Sequence, residues 1–308
     1  MGFNFTCCDW GTTNLRVRIV RDDAVIRELR TEQGASTLKS PGEFRTALGA
    51  AMDSLGAAKP VVISGMAGSS IGWKELPYAR LPFRLDGSDA VVNEIEADTF
   101  LISGVRSEED VMRGEETELL GLELGREEAV AILPGTHSKH CVLRNGAMVS
   151  FRTFMSGELH ALLSSNGILR QSVAPGWDEA AFLEGIDASI REPLTSSLFK
   201  VRTRSLLHGK SPVSNGSYLS GLLIGSELSA LPEGAPLILA ATGSIAAPYR
   251  VAFRALGLEG RSRILGEEES AALAVRGQLK ILKRCATRGV DTAVANAHRR
   301  KNQLILPE

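Results

Sequence analysis

The stretch FNFTCCDWGTTNLRVRIV (residues 3–20) decides how the chain folds. Residues 3–8 are an uncharged run that reads as a buried strand. Asp9-Trp10-Gly11-Thr12-Thr13 reads as a tight turn, and residues 15–20 alternate apolar and basic as a half-buried strand does. Asp22-Asp23 turn the chain again, and residues 24–30 make a third strand. The same order recurs in the second half. Residues 129–133 (AVAIL) form a strand and Pro134-Gly135-Thr136-His137-Ser138 a turn. Residues 140–144 form a strand, Asn145-Gly146 gives a strong hairpin signal, and 147–153 complete the meander. Two copies of strand, Gly-Thr turn, strand, turn, strand point to a duplicated domain.

Outward from these meanders the two halves stay parallel. Ser40-Pro41-Gly42-Glu43 has the N-cap, N1 proline and N3 glutamate of a capping box, and the helix it opens closes near Gly56. A strand at 61–64, a long loop, a strand at 99–103 and a helix from Glu115 follow. In the second half a helix starts near Ser156, and a helix-rich insertion spans about 170–235. A strand at 237–241, a helix from Ser244 to Leu256, a strand at 263–265 and a final helix over 268–282 complete it. This order predicts an α/β protein of two domains, 1–126 and 127–308, each a mixed sheet covered by helices, with a cleft between them. The basic tail after Lys283 reads as a solvated helix.

Composition narrows the function classes. The 308 residues are 44% hydrophobic and 23% charged, with a net charge of −1. That balance suits a globular protein and gives no global field for nucleic acid or membrane. Aromatics at 5% argue against stacking platforms for single strands. Four cysteines (Cys7, Cys8, Cys141, Cys285) show no metal or disulfide spacing, Cys7 and Cys8 reading as core. With no signal-peptide pattern at the start, a cytoplasmic protein is expected.

The chemistry sits in five segments. Asp9 ends a buried strand, where a carboxylate is costly without a task or partner. Gly11 admits backbone N–H groups to an anion, and the Thr12 and Thr13 hydroxyls can donate to phosphate. An acid for Mg²⁺ beside donors for phosphate is the minimal equipment of a nucleoside triphosphate site. A hairpin with an Asx turn would read the same if it stood alone, but its recurrence at Gly135-Thr136 favours a phosphate role. Thr242-Gly243-Ser244 is a side-chain-poor turn before a helix, able to seat a flat ring. Arg113-Gly114-Glu115-Glu116 opens a helix with carboxylates, one of which could take a proton from a hydroxyl. Ser64-Gly65-Met66-Ala67-Gly68, continuing to Trp73 and Lys74, is a glycine-rich loop suited to a small polar substrate.

These segments carry a family resemblance. DWGTTNLR (9–16), SGMAGSSIGW (64–73), VMRGEETELLG (111–121), LPGTHSKH (133–140), FRTFMSGELHALL (151–163), YLSGLLIGSEL (218–228) and ATGS (241–244) together resemble the 2-dehydro-3-deoxygalactonokinase family. These are sugar-acid kinases of the actin-like ATPase superfamily. The resemblance implies two ribonuclease-H-like domains, each with a mixed five-stranded sheet, around an interdomain cleft that takes ATP and Mg²⁺. It implies transfer of the γ-phosphoryl group to the C6 hydroxyl of 2-dehydro-3-deoxy-D-galactonate. Asp9 would hold Mg²⁺. Thr12, Thr13 and Thr136 would grip phosphates with Gly11 and Gly135, aided by Lys139, and Gly243 and Ser244 would seat adenosine. Where related sugar kinases have Gly-Asp-Gln this chain has Gly114-Glu115-Glu116, so the base is Glu115, with Glu116 the alternative. Arg16, Arg113 and Arg152 are candidates for the substrate carboxylate, joined by Met66, Gly68, Trp73 and Lys74 in the sugar-acid site. Arg16 reads equally well as an exposed strand arginine.

Three other readings compete: a kinase for the gluconate-derived epimer, a non-catalytic actin-like sensor, and a serine hydrolase using Ser70 in Gly68-Ser69-Ser70-Ile71-Gly72. Pro77 shortens the helix such a hydrolase needs. His137 reads as a turn residue and His140 as surface. Association into a homo-oligomer is left open.

Overall fold

The computed structural model describes residues 4–124 and 128–302, with side chains up to residue 286. It divides into two units, residues 1–125 with 272–308, and residues 126–271.

In the first unit, β1 (Phe5–Trp10), β2 (Leu15–Arg21) and β3 (Ala24–Thr31) form an antiparallel meander. The β2–β3 turn holds Asp22 and Asp23 at φ of 49° and 65°, the left-handed pair of a two-residue hairpin. Helix α1 (Pro41–Leu55) follows with the predicted Ser40 N-cap, while Glu43 reaches one residue further back than a capping box requires. The Ser40 side chain accepts from the Glu43 N–H, and the Glu43 carboxylate accepts from the Lys39 N–H at 3.0 Å. Next comes β4 (Val61–Gly65), which runs parallel to β1. The loop read between 65 and 98 holds β5 (Ala79–Arg80), β6 (Phe83–Arg84) and β7 (Val92–Glu96). These strands are short or half-exposed and lack the apolar run that marks the others. β8 (Thr99–Ile102) pairs parallel with β4 and antiparallel with β7. The sheet order is β3-β2-β1-β4-β8-β7. β9 (Val105–Arg106) and β10 (Val111–Met112) complete a small sheet with β5, and α2 (Glu115–Leu120) follows.

Strand alternation sorts this sheet into two faces. Cys8, Trp10, Leu15, Val17 and Ile19 pack on Phe44, Ala47, Leu48 and Ala51 of α1. Asp9, directly opposite Arg16 in the β1–β2 register, belongs to the other face.

The second unit repeats the plan. β11 (Ala129–Leu133), β12 (Ser138–Arg144) and β13 (Ala147–Phe154) form an antiparallel meander, with Asn145 and Gly146 at φ of 52° and 74° in its turn. The helices are α3 (Ser156–Ser165), α4 (Glu179–Arg191), α5 (Leu194–His208) and α6 (Pro212–Leu228). Then β14 (Leu237–Leu239) runs parallel to β11, α7 (Ala246–Ala255) follows, and β15 (Ser262–Ile264) runs parallel to β14. The unit's own strands lie in the order β13-β12-β11-β14-β15, which matches β3-β2-β1-β4-β8 strand for strand. Both have the strand order expected of ribonuclease-H-like sheets. Helices α4 and α6 cross so closely that a Cβ on Gly221 would sit 2.1 Å from the Phe182 carbonyl oxygen. The predicted insertion is thus a packed helical cluster.

The C-terminus departs from the expected boundary at 127–308. Helix α8 runs over Glu267–Asn302, well past the predicted 282, and from Ala272 onward it groups with the first unit. A Cβ on Gly277 would lie 1.8 Å from the Thr117 carbonyl oxygen. The Gln278 amide donates to the Cys8 carbonyl at 2.8 Å and to Ser64 Oγ at 2.9 Å. Sequence order alone could not place a helix back on the first sheet. The expected solvation of Arg288, Arg299, Arg300 and Lys301 concerns side chains outside the described residues. Among the described residues no helix is long and apolar enough to cross a membrane.

Because α8 seats on α2 through a bare backbone, Gly277→Val is expected to lower the thermal midpoint by an amount equivalent to about 2 kcal/mol or more. Gly49→Ala, in α1 where a Cβ meets nothing within 4 Å, should raise it slightly. Equal midpoints for the two variants in a calorimetric scan would refute the close contact.

Candidate active site

The first unit gathers its polar chemistry at the C-terminal ends of β1 and β4. The turn after β1 is fixed by backbone bonds. Gly11 N–H donates to the Asn14 carbonyl at 2.8 Å, and the Thr12 carbonyl accepts from the Ser36 N–H at 2.9 Å. Gly34 lies so close that a Cβ there would be 2.2 Å from the Thr13 carbonyl carbon. Sequence reasoning passed over Gly34, whose loop position gave no periodic signal. Thr12 and Thr13 are exposed.

Helix α2 begins at Gly114, whose φ of 115° only glycine adopts comfortably. The Arg113 N–H donates to the Glu115 carboxylate at 3.0 Å, and the Gly114 N–H donates to Glu116 at 2.7 Å. The two glutamates separate in role here. Glu116 is fully buried and also accepts from the Thr117 hydroxyl at 2.9 Å, so it caps the helix start. Glu115 is half-exposed and electrostatically coupled to Asp9. Burial, followed by the neighbouring Glu115 charge, pushes Glu116 up to about 7. Burial and the charges of Asp9, Glu115 and Glu116 push Glu118 up to about 8. Asp9 is also raised, by burial first, against the opposing pull of Arg18 and Arg16. Glu118 is a member of this group that the sequence did not single out, although its i,i+3 spacing from Glu115 was the available signal.

The Gly68 carbonyl accepts from Arg113 Nη1 at 2.6 Å, and the guanidinium lies 4.2 Å from the Tyr78 ring centroid. Arg113 Nε is buried without a hydrogen-bond partner, as is Arg16 Nε. Arg16 faces Glu28 at 3.7 Å. Met66 is half-buried at the start of a 3₁₀ turn whose Ser69 N–H bonds back to it. Lys74 is exposed and donates to Asn93 at 3.0 Å. Trp73 corrects the expectation. It is only 7% exposed and packs edge-on to Trp10 at 6.1 Å and against Phe44 at 6.3 Å, so its indole belongs to the core. A bulky apolar ring next to a buried strand gains more from that cavity than from a polar site.

In the second unit the turn Gly135-Thr136 lies against the first turn of α3. A Cβ on Gly157 would sit 2.4 Å from the Gly135 carbonyl oxygen, and the Glu158 N–H donates to the Thr136 carbonyl at 3.0 Å. Gly135, Thr136, Ser156, His160, Ser244 and Tyr249 are among the residues lining one cavity of about 860 Å³. Gly243 has a φ of 64°, and its N–H donates to Glu267 at 2.8 Å. Lys139 is buried, with Nζ donating to the His137 carbonyl at 3.0 Å. Arg152 is exposed on β13 opposite His140.

His140 is not a surface residue as expected. It is 6% exposed, and its Nε2 meets Glu227 at 3.1 Å. Glu227, buried in α6, also accepts from Ser138 Oγ at 2.6 Å and Tyr249 at 2.7 Å. Burial alone would raise the Glu227 carboxyl, but the hydrogen bonds from His140, Ser138 and Ser156 outweigh it and hold it low. Its signal was one carboxylate within the apolar run YLSGLLIGSEL.

Residues 9–277 match the model of the family described as 2-keto-3-deoxy-galactonokinase. The chain belongs to that family. It is accordingly a phosphotransferase with an alcohol acceptor. Two relatives agree with the assignment. DgoK1 of Rhizobium meliloti (strain 1021), assigned as a 2-dehydro-3-deoxygalactonokinase, is 34% identical over 292 residues, covering 88% of this chain and 95% of the relative. The 2-dehydro-3-deoxygalactonokinase of Escherichia coli (strain K12) is 30% identical over 269 residues, covering 84% and 92%. A crystal structure from Sinorhizobium meliloti, assigned to the same activity, superposes with a TM-score of 0.79 at 32% identity, covering 90% of this chain and 96% of the other.

The buried carboxyls set a pH dependence. Folded Glu116 keeps its proton to about 7, whereas an unfolded glutamate loses it near 4.5. Between those values the unfolded state binds fewer protons, so the fold loses stability as pH rises. Glu116→Gln should therefore gain thermal midpoint relative to the parent between pH 5 and pH 8. A difference that stays flat with pH would show that Glu116 is ionised throughout.

Proposed function

We propose that this chain transfers the γ-phosphoryl group of ATP to the C6 hydroxyl of 2-dehydro-3-deoxy-D-galactonate, giving the 6-phosphate in galactonate catabolism. The observation that carries this reading is the placement of Glu115. It is a half-exposed carboxylate on the first residue of α2, within electrostatic reach of Asp9 and beside Arg113. Family membership gives the reaction class, and this geometry supports the tasks proposed for the residues.

Glu115 accepts the proton of the attacking hydroxyl. A positioned carboxylate of this kind contributes about 10²–10⁴-fold. Full burial and two hydrogen bonds within the helix start make Glu116 the poorer candidate for that task. Thr12 and Thr13, both exposed on a rigid turn, offer hydroxyls to phosphate oxygens, with Gly11 between them and the strand. In the second unit the Thr136 hydroxyl is offered from the Gly135-Thr136 turn, with the buried Lys139 behind that turn. Gly243 and Ser244 border the cavity end where the nucleoside would lie.

The donor set fits a divalent magnesium ion. Asp9 is a hard oxygen ligand whose proton affinity is raised first by burial and further by the Glu115 and Glu28 charges, and a cation beside it would stabilise the ionised form. Bound there, Mg²⁺ supplies charge neutralisation at the phosphates.

The substrate carboxylate calls for a cation with unsatisfied donors. Arg113 answers best, since its buried Nε lacks a partner while Nη1 and the Tyr78 ring fix its plane. Arg16 shares the orphaned Nε and stands opposite Asp9. Arg152 is on the second unit, and Met66, Gly68 and Lys74 frame the loop beside Arg113.

ADP release measured with Mg²⁺–ATP and each of the two epimeric acids tests the reading. Turnover is expected with the galactonate-derived acid. Preference for the gluconate-derived epimer would reassign the substrate, and no acid-dependent ADP would refute the kinase. Glu115→Gln should cut kcat by at least about 100-fold with the ATP KM within a few-fold. Arg113→Ala should raise the sugar-acid KM while leaving the ATP KM in place, and the opposite split would move the carboxylate site elsewhere.

A further inference from the structure

Trp177 is the exposed member of the chain's three tryptophans, at 46% against 0% for Trp10 and 7% for Trp73. Its fused rings offer a broad apolar face to whatever fills the space beside it. Trp177 lies in the segment Ala174-Pro175-Gly176-Trp177-Asp178 and lines the same cavity as Thr136 and Ser244.

The segment is held rather than loose. The Ala174 N–H donates to the Pro212 carbonyl at 2.9 Å, and the Asp178 N–H donates to Ser217 Oγ at 2.9 Å. Asp178 caps α4 by accepting from the Ala181 N–H at 3.1 Å. Gly176 has a φ of 143° and rides on α6, where a Cβ would lie 2.7 Å from Val213 Cγ1. The indole is braced by Phe182, with ring centroids 4.9 Å apart and planes tilted by 42°. Its orientation is therefore prepaid before any ligand arrives.

The cavity around it is uncharged. Its lining includes Ile245, Ala247 and Pro248, and its titratable groups are His160 and Tyr249. Burial lowers His160, and burial with the nearby Glu227 charge raises Tyr249, so both are neutral at pH 7. A cavity of about 860 Å³ with a phosphate-type turn at its rim and a neutral, largely apolar wall suits a flat heterocycle, not a second charged group.

We propose that Trp177 stacks on the nucleobase of the phosphoryl donor, and that its broad face makes the site favour purine over pyrimidine nucleoside triphosphates. The proposal rests on the kinase reading above. A purine offers two fused rings to the indole where a pyrimidine offers one, so stacking area separates them without any base-specific hydrogen bond.

The test compares Trp177→Ala and Trp177→Phe with the parent, using ATP, UTP and ADP. Trp177→Ala is expected to raise the ATP KM about tenfold with kcat within twofold, the size of one lost base–aromatic stack. Its ATP-to-UTP ratio of kcat/KM should fall, its sugar-acid KM should stay, and Trp177→Phe should restore most of the ATP KM. ADP should quench the tryptophan fluorescence of the parent and not that of Trp177→Phe. An unchanged ATP KM and ATP-to-UTP ratio in Trp177→Ala, or quenching that survives in Trp177→Phe, overturns the assignment. If the parent makes no ADP with either acid, the kinase reading fails, while the ADP fluorescence comparison still decides whether Trp177 meets a base.

Discussion

Four carboxyls held together in one unit set the terms for the rest of the structure. Asp9, Glu115, Glu116 and Glu118 act on one another through a poorly hydrated interior, and burial raises the proton affinity of Asp9, Glu116 and Glu118. Such a group is tolerated only where surrounding atoms hold it in place and the buried carboxyls keep their protons more readily than exposed ones. The holding is visible in detail. The β1–β2 register sets Asp9 against Arg16, the φ of Gly114 launches α2, and α8 seats on Thr117 through Gly277. Trp10, Phe44 and Trp73 fill the opposite face of the sheet, so the polar and apolar duties of β1 fall on alternate residues.

The second unit solves a related problem with a single carboxylate. Glu227 gathers Ser138, His140 and Tyr249, so the strand after the phosphate-type turn, the long apolar helix α6 and the helix α7 share one buried acceptor. Tyr249 also forms part of the cavity wall. The shape of that cavity thus depends on a hydrogen-bond network in which every partner is buried, where the removal of any one strands the rest.

Duplication of one fold has left the two halves with unlike additions. The strand orders are identical, but the first unit adds an antiparallel edge strand, β7, while the second adds the helical cluster of α4, α5 and α6. The glycine-rich loop with Arg113 and Tyr78 belongs to the first unit, and the braced Trp177 segment to the second.

The sequence determined the meanders, the glycine–threonine turns and the N-terminal cap of α1, because each is written in residues close together along the chain. Alternation, capping and turn chemistry are local, and a repeat of them in both halves was legible without coordinates. Other features were settled only by tertiary packing. Trp73 went to the core because Trp10 and Phe44 offered it a matching cavity. Glu116 came to lie fully buried at the start of α2 while its neighbour Glu115 stayed half-exposed. His140 was buried by a carboxylate 87 residues away, and α8 returned to the first sheet through contacts that span most of the chain. Local patterns record what a segment prefers by itself, whereas burial and partnership depend on which distant segments fill the space beside it.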